Sequence, residues 1–104
     1  MPLHINATDL DTIVKIFDHE LPDAEVRAFG SRVMEIEPNP EADLDLVLIA
    51  RHIISLERMI TIERLLSEAG LPFAVDVFDY AKLTAKFKSS IEKEYITIKE
   101  VKKN

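Results

Sequence analysis

The sequence predicts an α/β protein in which helices pack on a small mixed β-sheet. Two observations support this fold class. Apolar residues recur at helical spacing in three segments, and short apolar segments of strand-like composition lie between and after them. The predicted order is helix, strand, strand, helix, strand, helix, strand. Because strands and helices alternate along most of the chain, we expect one sheet covered by helices.

Capping residues and chain breakers set the limits of the first two predicted helices. The first begins near Thr8 and Asp11 and ends before Pro22. The second begins after Ser55 as N-cap and ends at Gly70. Its predicted buried stripe consists of Leu56, Met59, Ile60, Leu65, Leu66 and Ala69.

The remaining predicted elements are four strands and a third helix. The strands are "EVRAFG", which ends at Gly30, followed by "DLDLVLIA", "FAVDVF" and "YITI". The third helix, "YAKLTAKFKSSIEKE", follows Asp79 as its predicted cap. The aromatic residues Tyr80, Phe87 and Phe73 fit core packing better than base stacking.

Composition limits the classes of function. The 104 residues are 47% hydrophobic, which predicts one domain spanning residues 1–104. A formal net charge of −6 argues against general nucleic-acid binding or an anionic membrane surface. The absence of cysteine excludes disulfides, thiolate zinc sites and cysteine nucleophiles. No signal-peptide pattern opens the sequence and the longest apolar run is "LVLIA", so we expect a cytoplasmic protein without a membrane span.

Three aspartates are the candidate catalytic residues. Asp43 and Asp45 are two residues apart in a predicted strand, so they share one face, with Cα atoms about 6.5 to 7 Å apart. Asp76 lies in the next predicted strand and joins them if the two strands are neighbours. Oxygen-only ligands of this kind select hard cations such as Mg²⁺. The pattern therefore predicts a metal-dependent site for phosphoryl-type chemistry.

Gly30, Ser31 and Arg32 are the candidate nucleotide-binding residues. A glycine at the end of a strand lets a phosphate approach the backbone, and a serine that opens a helix offers its hydroxyl and free amides to an anion. Arg32 would add a charge-assisted fork to phosphate. Either "GS" or "DxD" alone is weak, but together with a third strand aspartate they are much more specific.

These residues resemble the minimal nucleotidyltransferases of the DNA polymerase β-like superfamily, small proteins that are paired with HEPN-domain partners. The resemblance runs from about residue 8 to the end, through "LPDAEVRAFGSR", "DLDL" and "LPFAVDVFDY". It implies a nucleotidyltransferase fold and Mg²⁺-dependent transfer of AMP from ATP to a hydroxyl acceptor. The implied acceptor is a tyrosine of a HEPN ribonuclease toxin, for which the protein is the antitoxin.

The resemblance also assigns roles to individual residues. It implies that Gly30 and Ser31 bind phosphate, that Asp43 and Asp45 hold two Mg²⁺ ions, and that Asp76 is the third acid. The sequence departs from the family in the loop over residues 33–42. Met34 and Glu35 stand where a second glycine and a small basic stretch are usual, and Ala42 replaces a common serine.

Other interpretations of the same residues stay open. The aspartate pair also fits a solvent-facing strand edge, Asp76 fits a structural salt bridge, and Arg32 fits a surface arginine after a turn. The rival function is a non-catalytic antitoxin module that binds its partner or a nucleotide without transferring a group.

Overall fold

The structure, a computed structural model, describes residues 3–34 and 39–102. The predicted loop residue Glu35 lies outside these ranges. The elements in chain order are α1 (Ala7–Glu20), β1 (Glu25–Phe29), α2 (Ser31–Met34), β2 (Leu44–Ile49), α3 (Leu56–Ser67), β3 (Val75–Asp79), α4 (Ala85–Lys93) and β4 (Ile96–Lys99). A 3-10 turn, Tyr80–Lys82, connects β3 to α4.

The strands form one mixed sheet in the order β3, β2, β1, β4. β1 runs antiparallel to both β2 and β4, whereas β2 and β3 are parallel and are connected through α3. The predicted mixed sheet with flanking helices is therefore confirmed. Because β2 and β3 are parallel, both strands begin at the same end of the sheet, where the candidate aspartates lie.

The main core lies between one face of the sheet and helices α1 and α3. Alternate residues of β1 and β2 point into it, as the two-residue period of a strand requires. Its fully buried members are Ile13, Phe17, Val26, Ala28, Val33, Leu44, Leu46, Leu48 and Ile62. Helix α4 covers part of the opposite face, where Phe87 packs on Phe29 and Phe78. No helix in the described ranges is long and apolar enough to cross a membrane.

Two helices begin at other residues than the sequence predicts. The N-cap of α1 is Asn6, whose side-chain oxygen accepts the Thr8 amide at 2.7 Å. α4 is capped by Thr84, not Asp79. Asp79 instead caps the 3-10 turn, because its buried carboxylate accepts the amides of Ala81 and Ile54. The Ser55 cap of α3 is confirmed, with its hydroxyl accepting the Arg58 amide.

The predicted buried stripe of α3 is wrong at two positions. Leu56 is 71% exposed and Ile60 is 54% exposed, whereas Ile62 and Leu66 are buried. The side of α3 that packs on the sheet is set by its contacts with α1 and β3. Ile60 and Ile62 are two positions apart, which places them on nearly opposite sides of the helix. Apolar composition alone did not fix which side faces inward.

Candidate active site

The structure brings together the strand aspartates that the sequence selects. Asp45 in β2 pairs in register with Asp76 in β3, so their side chains leave the same face of the sheet. Asp43 lies immediately before β2. Its carboxyl group is close enough to Asp76 to raise the pKa of the Asp76 carboxyl group. The expected neighbour relation of the two strands is therefore present, while the catalytic roles of the three residues stay predictions.

The carboxyl groups of Asp45 and Asp76 resist ionisation. The pKa of Asp45 is raised above its ordinary value, first by burial and then by repulsion from Asp76 and Asp43. The pKa of Asp76 is also raised, by burial, by Asp43 and, to a smaller extent, by Glu63 of α3. A proton or a cation placed among these groups would relieve the repulsion, and both occur in phosphoryl-transfer chemistry.

The donor set suits a hard cation. Three carboxylates without nitrogen or sulfur ligands match the preference of Mg²⁺ for oxygen. A bound cation would also relieve the repulsion between them. Across residues 3–34 and 39–102, however, no group of three or more acidic or histidine side chains has the spacing of a formed metal site. Metal binding at this cluster therefore stays a prediction that the ligand chemistry supports.

Gly30 connects the cluster to the phosphate-binding residues that the sequence predicts. It has a φ of +83°, which L side chains rarely adopt, and an added Cβ would collide with the carboxylate of Asp45. Its carbonyl accepts the amides of Val33 and Met34 and so starts the short helix α2 at Ser31. Gly30 and Ser31 thus lie beside the aspartates, and phosphate binding by them stays a prediction.

Arg32 points inward. The side chain is only 6% exposed, and its guanidinium donates to the backbone carbonyls of His4, Pro40 and Ala42 at 2.7 to 2.9 Å. The guanidinium also lies 4.3 Å from the centre of the Phe73 ring. All three guanidinium nitrogens are used, so this geometry favours a structural role over the predicted fork to phosphate. Arg32 ties the amino-terminal segment to the loop that leads into Asp43.

An aromatic cluster that the sequence does not predict lies beside the acids. The rings of Phe29, Phe78 and Phe87 have centroids 5.8 to 6.0 Å apart. Phe29 pairs in register with Asp45, and Phe78 lies two residues after Asp76, so both share the face of the acids. The two-residue alternation of side chains along a strand could have placed Phe29 and Phe78 on this face. Phe87, which the sequence predicts in the core, is 37% exposed.

Comparison with a curated relative identifies the family. The chain is 33% identical over 101 residues to the probable protein adenylyltransferase MntA of Haemophilus influenzae, covering 97% of this chain and 88% of that protein. This chain belongs to the MntA family. The resemblance to minimal nucleotidyltransferases is thereby confirmed, although no protein-family model matches the sequence.

Solved structures share the MntA fold. A toxin–antitoxin structure with AMP-PNP matches with a TM-score of 0.73 at 16% identity, covering 88% of this chain and 73% of that chain. A tri-AMPylated Shewanella oneidensis HEPN toxin in complex with its MNT antitoxin matches with a TM-score of 0.68 at 16% identity, covering 89% and 71%. An MntA–HepT toxin–antitoxin structure matches with a TM-score of 0.69 at 14% identity, covering 91% and 73%. The nucleotidyltransferase fold is therefore shown.

Proposed function

We propose that this protein transfers AMP from ATP to a tyrosine hydroxyl of a HEPN-domain partner and thereby acts as its antitoxin. The observation that carries the proposal is the convergence of Asp43, Asp45 and Asp76 beside Gly30 and Ser31. The functions of related proteins agree with it. One relative is named a protein adenylyltransferase, one structure contains AMP-PNP, and another contains an AMPylated HEPN toxin.

In this proposal each residue has a defined task. Asp43, Asp45 and Asp76 would hold two Mg²⁺ ions. When bound, the ions would supply positive charge that offsets the negative charge of the triphosphate. The Ser31 hydroxyl and the backbone at Gly30 hold the phosphates in place for in-line attack.

The chemical step is a substitution at the α-phosphorus. The tyrosine oxygen forms a bond to the α-phosphorus, the bond from that phosphorus to the bridging oxygen breaks, and pyrophosphate leaves. Asp76 is the best-placed base for the hydroxyl proton. In the register pair that it forms with Asp45, Asp76 is the exposed member and Asp45 is half-buried. A carboxylate with a raised pKa is also a stronger proton acceptor than an ordinary one.

The partner must supply much of its own docking surface, because a chain of 104 residues has little surface beyond its active face. AMP on the tyrosine would add bulk and negative charge where RNA phosphates bind, which accounts for neutralisation of a ribonuclease. We further propose that residues 1–104 act as one functional domain. The protein would act in the cytoplasm, where its proposed donor ATP is found.

One observation favours the rival function, a non-catalytic antitoxin that binds its partner. The Arg32 guanidinium is used within the fold, which leaves the phosphate-binding turn without the cation that the sequence suggested. In that case the three aspartates would catalyse no transfer. The antitoxin would neutralise its partner by binding to it alone.

Co-expression with the protein encoded beside it distinguishes the two functions. We expect the partner to be recovered in a complex and to gain AMP-sized mass, as measured by intact-protein mass spectrometry. The variant Asp43→Asn should abolish the gain, because it removes one of the carboxylates on which transfer depends. Asp11→Asn on the exposed surface of α1 is the matched control and should leave it unchanged. A partner that Asp43→Asn still neutralises without modification would refute the enzymatic function.

A further inference from the structure

Asp43 is the member of the acid cluster that lies outside the strands. It is exposed and comes immediately before β2, whereas Asp45 and Asp76 are held in register on paired strands. Carboxylates that bind a cation must be held within about 0.5 Å of their productive positions. Because burial does not fix the Asp43 side chain, its position must come from the backbone on either side of it.

Arg32 holds the backbone on the amino-terminal side of Asp43. Its Nε donates to the carbonyl of Ala42, the residue directly before Asp43, at 2.9 Å. A terminal nitrogen donates to the Pro40 carbonyl at 2.7 Å and so fixes the same loop at a second point. The loop is also closed on itself here, because the Ala42 amide donates to the carbonyl of Asn39 at 2.9 Å. One rigid guanidinium therefore sets the last turn of chain before Asp43.

The sheet holds the backbone on the other side of Asp43. The Leu44 amide donates to the Ala74 carbonyl at 2.9 Å, next to the first register pair of β2 and β3. Ala74 is two residues before Asp76. Asp43 thus lies between two anchors, the Arg32 guanidinium and the strand pairing that also carries Asp76.

The Arg32 side chain is itself held in place. Its third donor nitrogen reaches the His4 carbonyl at 2.9 Å, and the His4 amide donates back to the Arg32 carbonyl at 3.0 Å. The Phe73 ring covers the guanidinium, with its centre 4.3 Å away. Because Arg32 follows Ser31 in α2, it also joins the predicted phosphate-binding turn to the loop before Asp43.

We propose that Arg32 is a positioning residue that sets the Asp43 carboxylate for binding of a divalent cation. Arg32 touches neither the cation nor the nucleotide and acts through the Ala42 carbonyl. This inference rests on the proposed function and identifies what brings Asp43 into one site with Asp45 and Asp76. Without the Arg32 donors the loop is free to shift, so cation binding weakens although all three carboxylates are present.

A second buried cation in the fold provides a matched control. Lys99 is 5% exposed, and its ammonium donates to three backbone carbonyls at 2.6 to 3.1 Å, those of Pro22, Ala24 and Glu100. Lys99 pairs with Val26 near the start of β1, whereas the acids lie beside Phe29 at its end. Loss of the Lys99 donors should therefore lower stability without moving Asp43.

The same substitution removes either set of donors. Arg32→Met and Lys99→Met each keep an unbranched side chain and leave three carbonyls without their donor. Mn²⁺ prefers the same oxygen ligands as Mg²⁺ and can be followed by electron paramagnetic resonance. We expect Arg32→Met to bind Mn²⁺ at least tenfold more weakly than the wild type, as for other residues that orient metal ligands. Lys99→Met should bind it with wild-type affinity.

The Mg²⁺ requirement of AMP transfer gives a second readout. Arg32→Met should need more Mg²⁺ for half-maximal transfer and should recover activity at saturating Mg²⁺. A variant that is only less stable has fewer active molecules, but each of them has the wild-type Mg²⁺ requirement. Arg32→Lys keeps one donor group and should have an intermediate Mn²⁺ affinity, so it provides the test if Arg32→Met does not fold. Circular dichroism of each variant checks the fold.

The outcomes separate the positioning role from the enzymatic function. Wild-type Mn²⁺ affinity and a wild-type Mg²⁺ requirement in the folded Arg32 variants would refute the positioning role, and AMP transfer by the wild type would then leave the proposed function standing. An equal loss of Mn²⁺ affinity in Lys99→Met would also refute it, because the loss would then follow from lower stability alone. If the wild type binds no Mn²⁺ and transfers no AMP, the proposed function itself fails, and the positioning role with it.

Discussion

Burial, together with repulsion from nearby carboxylates, makes the ionised forms of Asp45 and Asp76 unfavourable in the folded protein at neutral pH. Both pKa values are raised, so the folded protein holds these protons more tightly than the unfolded chain does. Protonation therefore stabilises the folded state at acidic pH. That stabilisation is lost as the pH rises from the unfolded pKa through the folded pKa, and above it the repulsion is fully present. This is the expected cost of grouping carboxylates for function.

Removal of one charge should therefore stabilise the protein. We expect Asp45→Asn to raise the melting temperature by a few degrees at neutral pH, since about 1 kcal/mol corresponds to roughly 4–8 °C in a domain of this size. The gain should shrink at acidic pH, where the wild-type carboxyl groups are protonated. Thermal unfolding across a pH series measures both effects. A lower melting temperature at neutral pH would instead show that the fold needs this carboxylate.

The structure brings together Asp45 and Asp76, which strand alternation and carboxylate chemistry select in the sequence. Asp45 and Asp76 could be predicted from strand alternation and from the assumption that their strands are neighbours. Arg32 could not, because nothing in the local sequence indicates that three distant backbone carbonyls will surround its guanidinium. Burial of a charged side chain by its own backbone partners is a tertiary property.

At the scale of elements, the sequence located the strands better than the faces of the helices. β1, β2 and β3 lie where their apolar alternation predicts. Asp79 carries a genuine capping signal, but it is used by a single 3-10 turn, so α4 begins later than expected. The exposure of Leu56 and Ile60 shows that an apolar residue on a helix does not by itself indicate the buried side.

The loop that leads into β2 depends on Arg32. Arg32→Ala would leave three carbonyl acceptors without their donor and remove the contact with Phe73, so we expect a loss of about 2–4 kcal/mol in the free energy of unfolding. Chemical denaturation measures it.

Arg32→Lys is the matched control, since it keeps the charge but carries its donors on one nitrogen and lacks the planar fork that reaches all three carbonyls. It should lie between the wild type and Arg32→Ala. Full stability of Arg32→Ala combined with weaker ATP affinity would instead indicate that Arg32 binds phosphate, as the sequence first suggested.

At the scale of the whole molecule, the acidic character of the protein makes nucleotide binding dependent on a cation. The chain has a net charge of −6, and ATP is itself an anion. ATP alone therefore approaches a repulsive surface, whereas a divalent cation can join the phosphates to the carboxylates.

Ligand-induced stabilisation should show this dependence. At about a hundredfold its dissociation constant, Mg²⁺-ATP should stabilise the folded state by roughly 2.7 kcal/mol and raise the melting temperature accordingly. ATP without a divalent cation should produce a much smaller shift, and Asp43→Asn should reduce the shift with Mg²⁺-ATP. No shift at millimolar Mg²⁺-ATP would favour the non-catalytic antitoxin.

The distance between Asp45 and Asp76 does not depend on the length of the chain that connects β2 to β3. Backbone pairing of the two strands sets Asp45 opposite Asp76, whatever the length of the segment that passes through α3. In that segment Gly70 is exposed, and an added Cβ there would meet no atom within 4 Å. A reporter peptide inserted after Gly70 should thus leave the acids paired. Deletion of Val75, with the pairing of Ala74 to Leu44 retained, would move Asp76 by one position and turn it towards the core.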